Sequence, residues 1–378
     1  MTRKGLRRSR NGCLQCKRRS VKCDERRPKC THCQYRLEQC QYADASPRSW
    51  TEASAEDPPP LQTAPVTSET RESAPPSSPD QFNLLHLRLL LNWTTSTCHS
   101  ISRNSADLRI WQTTVPGMAL SHPYLLHGLF AVSALHLSLS MTGQNPDREE
   151  LIKAAEYHQS EAIRIFTPII GNLTPSQYEA TFTLSNLLVT IALTFPLVHN
   201  SVAGRIPDVL DELTRVFAFV RKMTQFYAYI VESVKDGEIA QLTSFEETRG
   251  SLSYTIQSRV SALHELNTTH ILEPNAHLAF RDTIDRLAST LARMYSGQEI
   301  FSAGFLWMAQ IPAQYFDRLQ DRHPLSLVIL AHYCIVLDHM NRYWWIQSWG
   351  RQVLEAIRTV LEPGWRVHIS WPLEVVGI

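Results

Sequence analysis

The sequence predicts a chain in three parts: a small head organised by metal ligands, a disordered linker, and an all-α body. Three observations carry this. Six of the eight cysteines fall between Cys13 and Cys40. Eight of the 21 prolines fall between residues 43 and 80, where few apolar residues occur. From residue 81 onward apolar residues recur at helical spacing, and alternating strand patterns are scarce.

The head reads CLQCKRRSVKCDERRPKCTHCQYRLEQC from Cys13, with spacing C-x2-C-x6-C-x6-C-x2-C-x6-C. It is two near-copies of C-x2-C-x6-C set end to end. Thiolates are soft anionic ligands, and zinc takes four ligands at tetrahedral corners. The six sulfurs of Cys13, Cys16, Cys23, Cys30, Cys33 and Cys40 serve two zinc ions only if two are shared. The repeat makes Cys13 and Cys30, the first of each half, the natural bridges. The alternative is a disulfide framework, which belongs to exported chains. Residues 1–12 are basic and lack the apolar stretch of an export signal, so zinc is expected, in a reducing compartment. A span this short holds no hydrophobic core, so zinc supplies its folding free energy.

Charge is divided as sharply as composition. Residues 1–42 hold 13 Lys/Arg against 3 Asp/Glu, and the remainder holds 24 against 33. A basic head on an acidic body suggests that the head alone meets a polyanion. A short helix starting near Cys16 would project Lys17, Arg18, Arg19 and Lys22 from the cluster. Such side chains can donate to guanine O6 and N7 in the major groove or hold phosphates. Arg3, Lys4, Arg7, Arg8 and Arg10 form a basic arm that suits phosphate tracking or nuclear import. Arg26, Arg27 and Lys29 suit backbone contacts.

The cysteine pattern resembles the fungal zinc binuclear cluster (Zn2Cys6) DNA-binding domain, and Pro28 matches the proline of its inter-half loop. The resemblance implies that Cys13 and Cys30 bridge the ions and that the first helix reads a GC-rich, CGG-like triplet of double-stranded DNA. The family's base contacts fall at Arg19 and Ser20; Arg19 fits, and Ser20 departs from the usual basic residue. It further implies a nuclear regulator of RNA polymerase II transcription.

Residues 43–80 are expected to be a disordered, Pro/Ser-rich tether, because prolines preclude a long helix and little apolar surface can be buried. No heptad pattern appears there. One triplet is too little information for genomic addressing, so a homodimer through 81–378, or a protein partner, is expected.

In the body, Phe82, Leu85, Leu89 and Trp93 open a helical stretch. Further helices are expected at about 122–141, 148–166, 175–195, 207–231, 250–265, 275–296, 323–348 and 351–361. Asp147 is the expected cap of the helix entering at Arg148. Thr174-Pro175 and Ile206-Pro207-Asp208 place proline at helix entrances, and Gly143, Gly171 and Gly204 fall between helices. No stretch of 18 or more apolar residues is free of polar breaks, so no membrane span is expected. The longest, near 182–198 and 325–337, read as buried helices.

A second resemblance covers much of this region. The stretch from Trp111 through Leu120-Ser-His-Pro-Tyr-Leu-Leu-His, the stretch His323-Pro-Leu-Ser-Leu, Tyr343-Trp-Trp and Ser370-Trp-Pro-Leu-Glu are similar to the regulatory domain of fungal sterol uptake control regulators and related C6 factors. This implies an all-α regulatory domain, dimerisation and a sterol-like ligand, with sterol uptake or biosynthesis genes as targets. The alternative is a pathway-specific regulator of a secondary-metabolite gene cluster without a sterol ligand. Trp344, Trp345, Trp349, Trp365 and Trp371 crowd the last 35 residues; they suit an apolar pocket and equally ordinary core packing.

His122, His127 and His136 are spaced by five and nine, which does not make a helical metal pair, and read as capping or core residues. His332 and Cys334 face different sides of a helix, and Cys98 and Cys334 read as buried thiols. No G-x-G-x-x-G, P-loop, H-E-x-x-H or G-x-S-x-G occurs, and no catalytic residue is expected.

Overall fold

The structure is a computed structural model. It describes residues 13–19, 21–26, 29–36, 39–41, 83–141, 145–203, 208–244, 253–297 and 300–378, with backbone alone at 200–203 and 227–229. The basic arm, Ser20, Arg27, Pro28, Gly143, Gly204, Pro207 and the stretch 43–80 lie outside the described residues. The chain divides into two units, Met1–Pro76 and Ser77–Ile378.

The described residues of the first unit include two one-turn helices, α1 (Leu14–Arg18) and α2 (Thr31–Tyr35). Among its described residues the buried side chains are cysteines: Cys13, Cys16, Cys23, Cys30 and Cys33, with Cys40 half-buried beside them. Leu14, Val21 and Tyr35 are exposed, so burial of hydrocarbon contributes little here. The first helix starts at Leu14, two residues before the expected Cys16. The difference has a local cause: Cys13 is its N-cap, and Cys13 Sγ accepts from the Cys16 N–H at 3.4 Å.

The described residues of the second unit contain helices and no strands. Its entrance is a run of short helices, α3 (Leu84–Asn92), α4 (Cys98–Ile101), α5 (Ser105–Arg109) and α6 (Val115–Ala119), interrupted by π-helical turns at Trp93–Thr97 and Ile110–Thr114. The turns bring Trp93 and Trp111 edge to face at 6.1 Å, with Trp93 Nε1 donating to the Trp111 carbonyl at 2.8 Å.

Longer helices follow: α7 (Pro123–Ser140), α8 (Pro146–Phe166), α9 (Tyr178–Ala203) and α10 (Val209–Val234). After α11 (Ala240–Thr243) come α12 (Tyr254–His270), α13 (Pro274–Tyr295), α14 (Phe301–Gln310), α15 (Ala313–Gln320) and α16 (Pro324–His339). The chain closes with α17 (Trp349–Val360), α18 (Pro363–Arg366) and α19 (Ser370–Val376). Helix α7 lies between α8 and α9, and α16 packs on α17 and α19. Both α7 and α16 are apolar on most faces, as central helices must be. Every residue from Leu325 to Leu337 is buried. The stretches Pro175–His199 and Pro324–Arg342 are long and apolar enough to cross a membrane by composition alone. Their apolar windows are 67% and 78% buried inside this unit.

Several expected boundaries are corrected. Asn145, not Asp147, caps α8: its Oδ1 accepts from the Asp147 N–H at 3.0 Å, and Pro146 takes the first helical position. The helix expected to run to residue 348 ends at His339 and passes into a 3-10 turn at Met340–Arg342; Ser348, with a left-handed φ of 66°, then precedes α17 as its N-cap. The helix expected at 175–195 runs to Ala203 with Pro196 inside it, and Thr174 supplies a capping box with Gln177. The helix expected at 250–265 is Tyr254–His270. Helices α14 and α15 were not expected. Gly350 is required where α17 crosses α16: a Cβ there would meet the Asp338 nitrogen at 2.6 Å and the Cys334 carbonyl at 2.7 Å.

Candidate metal centre and nucleic-acid interface

The six head cysteines converge. Cys13, Cys16, Cys23 and Cys30 form one group, and Cys13, Cys30, Cys33 and Cys40 a second, with all sulfurs in each group within 4.8 Å of one another. Cys13 and Cys30 belong to both. Cys13 Sγ lies 3.6 Å from Cys30 Sγ and 3.7 Å from Cys33 Sγ, and Cys16 Sγ lies 3.7 Å from Cys30 Sγ. A disulfide needs about 2.05 Å. Sulfurs at tetrahedral corners about 2.3 Å from zinc stand about 3.8 Å apart. The spacing fits zinc and excludes cystine.

The repeat in the sequence is also a repeat in hydrogen bonding. Cys13 N–H donates to Cys23 Sγ at 3.5 Å, and Cys30 N–H donates to Cys40 Sγ at 3.3 Å. In each half the first cysteine's amide supports the third cysteine's sulfur. The halves are tied together by Asp24, whose carboxylate accepts from the Thr31 N–H at 3.1 Å and from the Thr31 hydroxyl. The Thr31 hydroxyl holds the Asp24 carboxyl below its ordinary pKa. A second tie joins Leu14 N–H to the Gln41 carbonyl at 2.8 Å, and Gln41 N–H to Gln15 Oε1 at 3.0 Å. The sequence reading missed both ties. Burial and neighbouring thiols push the Cys16 pKa up to about 12 and raise those of Cys30 and Cys33. Only a cation makes so many adjacent thiolates tolerable.

The family model for the fungal Zn(2)-Cys(6) binuclear cluster domain matches residues 11–49. The head is a fungal Zn(2)-Cys(6) binuclear cluster domain. Its cofactor is zinc, two ions per chain. The similarity extends beyond the cluster. A Gibberella zeae protein named as a Zn(2)-C6 fungal-type transcription factor is 26% identical over 315 residues, covering 77% of this chain and 62% of the relative. Sterol uptake control protein 2 of Saccharomyces cerevisiae is 52% identical over 118 residues, 31% of this chain and 12% of the relative. The Aspergillus fumigatus Zn(2)-C6 fungal-type transcription factor afumD is 34% identical over 117 residues, 30% of each. The chain thus spans less than two thirds of the length of each of these relatives.

On the cluster domain, Lys17 and Arg18 occupy the last turn of α1 and are exposed, as is Lys22 after it. Cations there suit the negative end of the helix. Arg19 is the half-buried C-cap, its N–H donating to the Gln15 carbonyl at 3.2 Å. Ser20, Arg7, Arg8 and Arg10 lie outside the described residues.

In the second unit the histidines and cysteines form no metal group among the described residues. His122 Nδ1 lies 3.0 Å from the Met118 carbonyl, His136 Nδ1 2.9 Å from Thr97 Oγ1, and His127 Nδ1 2.9 Å from His158 Nδ1. His332 Nδ1 bonds the Val328 carbonyl at 2.8 Å, and Cys98 and Cys334 are buried thiols.

The second unit also holds a cavity of about 340 Å³ between α5, α9, α10, α11 and α14. Trp111, Phe182, Phe301, Phe305 and Trp345 make its aromatic wall. Of the five late tryptophans, only Trp345 lines it. Its Nε1 is buried with no hydrogen-bond partner. Trp349 Nε1 instead bonds the Leu193 carbonyl at 2.9 Å, and Trp344 Nε1 bonds Ser100 Oγ at 2.9 Å. The cavity's charged residues are Arg103 and Asp107, paired within 2.5 Å and 9% and 1% exposed. The i,i+4 spacing of this pair is visible in sequence; its burial is not.

Proposed function

We propose that this chain is a nuclear, sequence-specific DNA-binding regulator of RNA polymerase II transcription. The observation that carries the reading is the sharing of Cys13 and Cys30 between two four-sulfur groups beside the exposed cations of α1. Cys13 and Cys30 bridge two zinc ions; Cys16 and Cys23 complete one, Cys33 and Cys40 the other. Arg19 and Ser20 face a GC-rich, CGG-like element, while Lys17, Arg18, Lys22, Arg7, Arg8 and Arg10 hold phosphates. Four thiolates leave zinc no open position for water or substrate, which argues against an enzyme at this centre. The body, 81–378, supplies regulation and the second copy that lengthens the DNA site.

Quantitative binding of the zinc-loaded full chain to CGG-containing and scrambled duplexes tests this. Arg19→Ala should cost about 1–3 kcal/mol on the specific duplex and relax base preference. Arg8→Ala should weaken both duplexes alike and lower the salt slope by about 1. Equal losses on both duplexes for Arg19→Ala would remove its assigned role.

A second reading concerns the body. A cavity of about 340 Å³ lies in the range of small-molecule sites, and its wall is largely aromatic, from Trp111, Phe182, Phe301, Phe305 and Trp345. We infer that the body senses an apolar molecule of sterol type; the yeast relative is named for sterol uptake control. Saturable binding of the fluorescent sterol dehydroergosterol by the full chain supports it, and no binding counts for a pathway-specific regulator without such a ligand.

A further inference from the structure

The cavity is apolar over most of its wall, so its few polar side chains decide which guest fits. Most of them are already committed. A guanidinium has five N–H donors, and Arg103 makes a bond for each. Nε and Nη2 donate to the two Asp107 oxygens at 2.5 and 3.1 Å, and Nη2 also to the Gln241 carbonyl at 3.0 Å. Nη1 donates to the Ser244 carbonyl and to Ser302 Oγ, both at 3.2 Å. Its charge is balanced by the buried, bidentate Asp107 carboxylate. A guest carboxylate would meet no uncommitted cation here, and its loss of water would go uncompensated.

The threonines of the wall are committed in another way. Thr190, Thr224 and Thr243 donate to the carbonyls of Asn186, Val220 and Ala240, at 3.2, 2.9 and 2.8 Å. Each hydroxyl keeps its lone pairs but has given away its proton, so it can only accept from a guest. Asn186 differs. It stands midway in the strip that α9 turns to the cavity, between Phe182 and Thr190. One N–H of its amide donates to the Phe182 carbonyl at 3.0 Å. That bond settles the orientation of the amide, because Oδ1 has no proton to give. Oδ1 and the second N–H have no partner among the described residues. An alcohol both donates and accepts, and it can use both groups. A ketone only accepts, and would leave Oδ1 unmatched.

Resting on the sensor reading above, we propose that the guest is a neutral alcohol and that Asn186 is the residue that reads its hydroxyl. Oδ1 accepts from the guest's O–H, and the second amide N–H donates to its oxygen. Asn186 therefore sets the preference for an alcohol over the matching ketone, while the closed Arg103–Asp107 pair turns away carboxylates.

The test uses the full chain, with dehydroergosterol as fluorescent probe and ergosterol, its 3-ketone and palmitate as competitors. Ergosterol should displace the probe about tenfold better than the ketone, and palmitate should not displace it. In Asn186→Leu the preference for ergosterol over the ketone should shrink to about twofold or less, through weaker binding of ergosterol. In Asn186→Thr the new hydroxyl would donate to the Phe182 carbonyl, as Thr190 does to that of Asn186, and so keep an acceptor without a donor. There the preference should rise about threefold above wild type, a change that loosened packing would not produce. A preference unchanged in Asn186→Leu, or in Asn186→Thr if the leucine variant does not fold, overturns the role of Asn186 and leaves the sensor reading standing. Equal affinity of wild type for ergosterol and its ketone, or displacement by palmitate, overturns the alcohol assignment. No binding of the probe to wild type removes the sensor reading, and this assignment with it.

Discussion

In the cluster domain the buried side chains are cysteines and the hydrocarbon of Leu14, Val21 and Tyr35 points outward. In the helical unit one continuous apolar cluster runs from Leu89 to Val376, and Leu325 through Leu337 are buried without a break. The first unit has a shape because six sulfurs need a cation; the second because hydrocarbon leaves water. Each should therefore fail under a treatment the other survives.

Metal removal is the largest expected effect. Apparent zinc-binding free energies of small structural sites are roughly 10–16 kcal/mol at neutral pH, as large as a whole domain's usual stability of about 5–15 kcal/mol. Chelation should unfold the cluster domain and abolish DNA binding. The melting of the helical unit, followed by tryptophan fluorescence, should not change, since every tryptophan among the described residues lies there. The shared ligands sharpen the point: Cys30→Ser should lose both ions in native mass spectra, and Cys23→Ser one. Equal losses would deny bridging.

The converse experiment removes hydrocarbon. Trp307 is 1% exposed, stacks on Tyr333 at 4.1 Å and donates from Nε1 to the Thr283 carbonyl at 3.2 Å. Trp307→Ala should cost about 4 kcal/mol in urea unfolding while the zinc count stays at two. A chain that loses zinc on this substitution would have coupled units.

Acid comes next in size. Burial lowers the His332 pKa to about 4 from 6.5. The unfolded chain then binds the extra proton between pH 6.5 and 4, and the folded chain does not. Stability is thus full above pH 6.5 and is lost progressively as pH falls toward 4, by about 3 kcal/mol for this residue. His158 is lowered to about 4 in the same sense, by burial and by His127 beside it. Urea unfolding at pH 7 and 4.5, read by tryptophan fluorescence, checks this. His332→Gln should flatten the dependence.

The two units also differ in what could be read from sequence. The metal centre was legible because all its ligands lie within one short stretch, and zinc chemistry allows few arrangements of them. The helical class was legible from periodicity, but its ends were decided by contacts that periodicity does not carry. Tyr343 to Trp349 continues an aromatic pattern, yet the chain leaves the helix at His339 because Trp345 and Trp349 are buried on different partners. Gly304 and Pro312 look like breakers around α14 and α15; Gly304 instead sits tightly against Met340, where a Cβ would meet its Sδ at 2.8 Å, and Pro312 caps α15. Nothing in the sequence singles out Arg103. Its bonds to Gln241, Ser244 and Ser302 cross 138 to 199 positions of sequence, beyond any local signal.

The smallest effect tests how a helix is begun in each unit. In the cluster domain the first helix is capped by a metal-site sulfur, Cys13 Sγ, accepting from the Cys16 N–H at 3.4 Å. In the helical unit α8 is capped by an ordinary amide, Asn145 Oδ1, and Asp147 merely adds negative charge to its first turn. Asn145→Ala should therefore lower the stability of the helical unit by about 1 kcal/mol, and Asp147→Ala by about 0.3–0.5 kcal/mol, screened further by salt. The reverse ranking in urea unfolding at low and high salt would restore Asp147 as the cap. Neither substitution should alter the zinc count, whereas Cys13→Ala removes cap and metal ligand together.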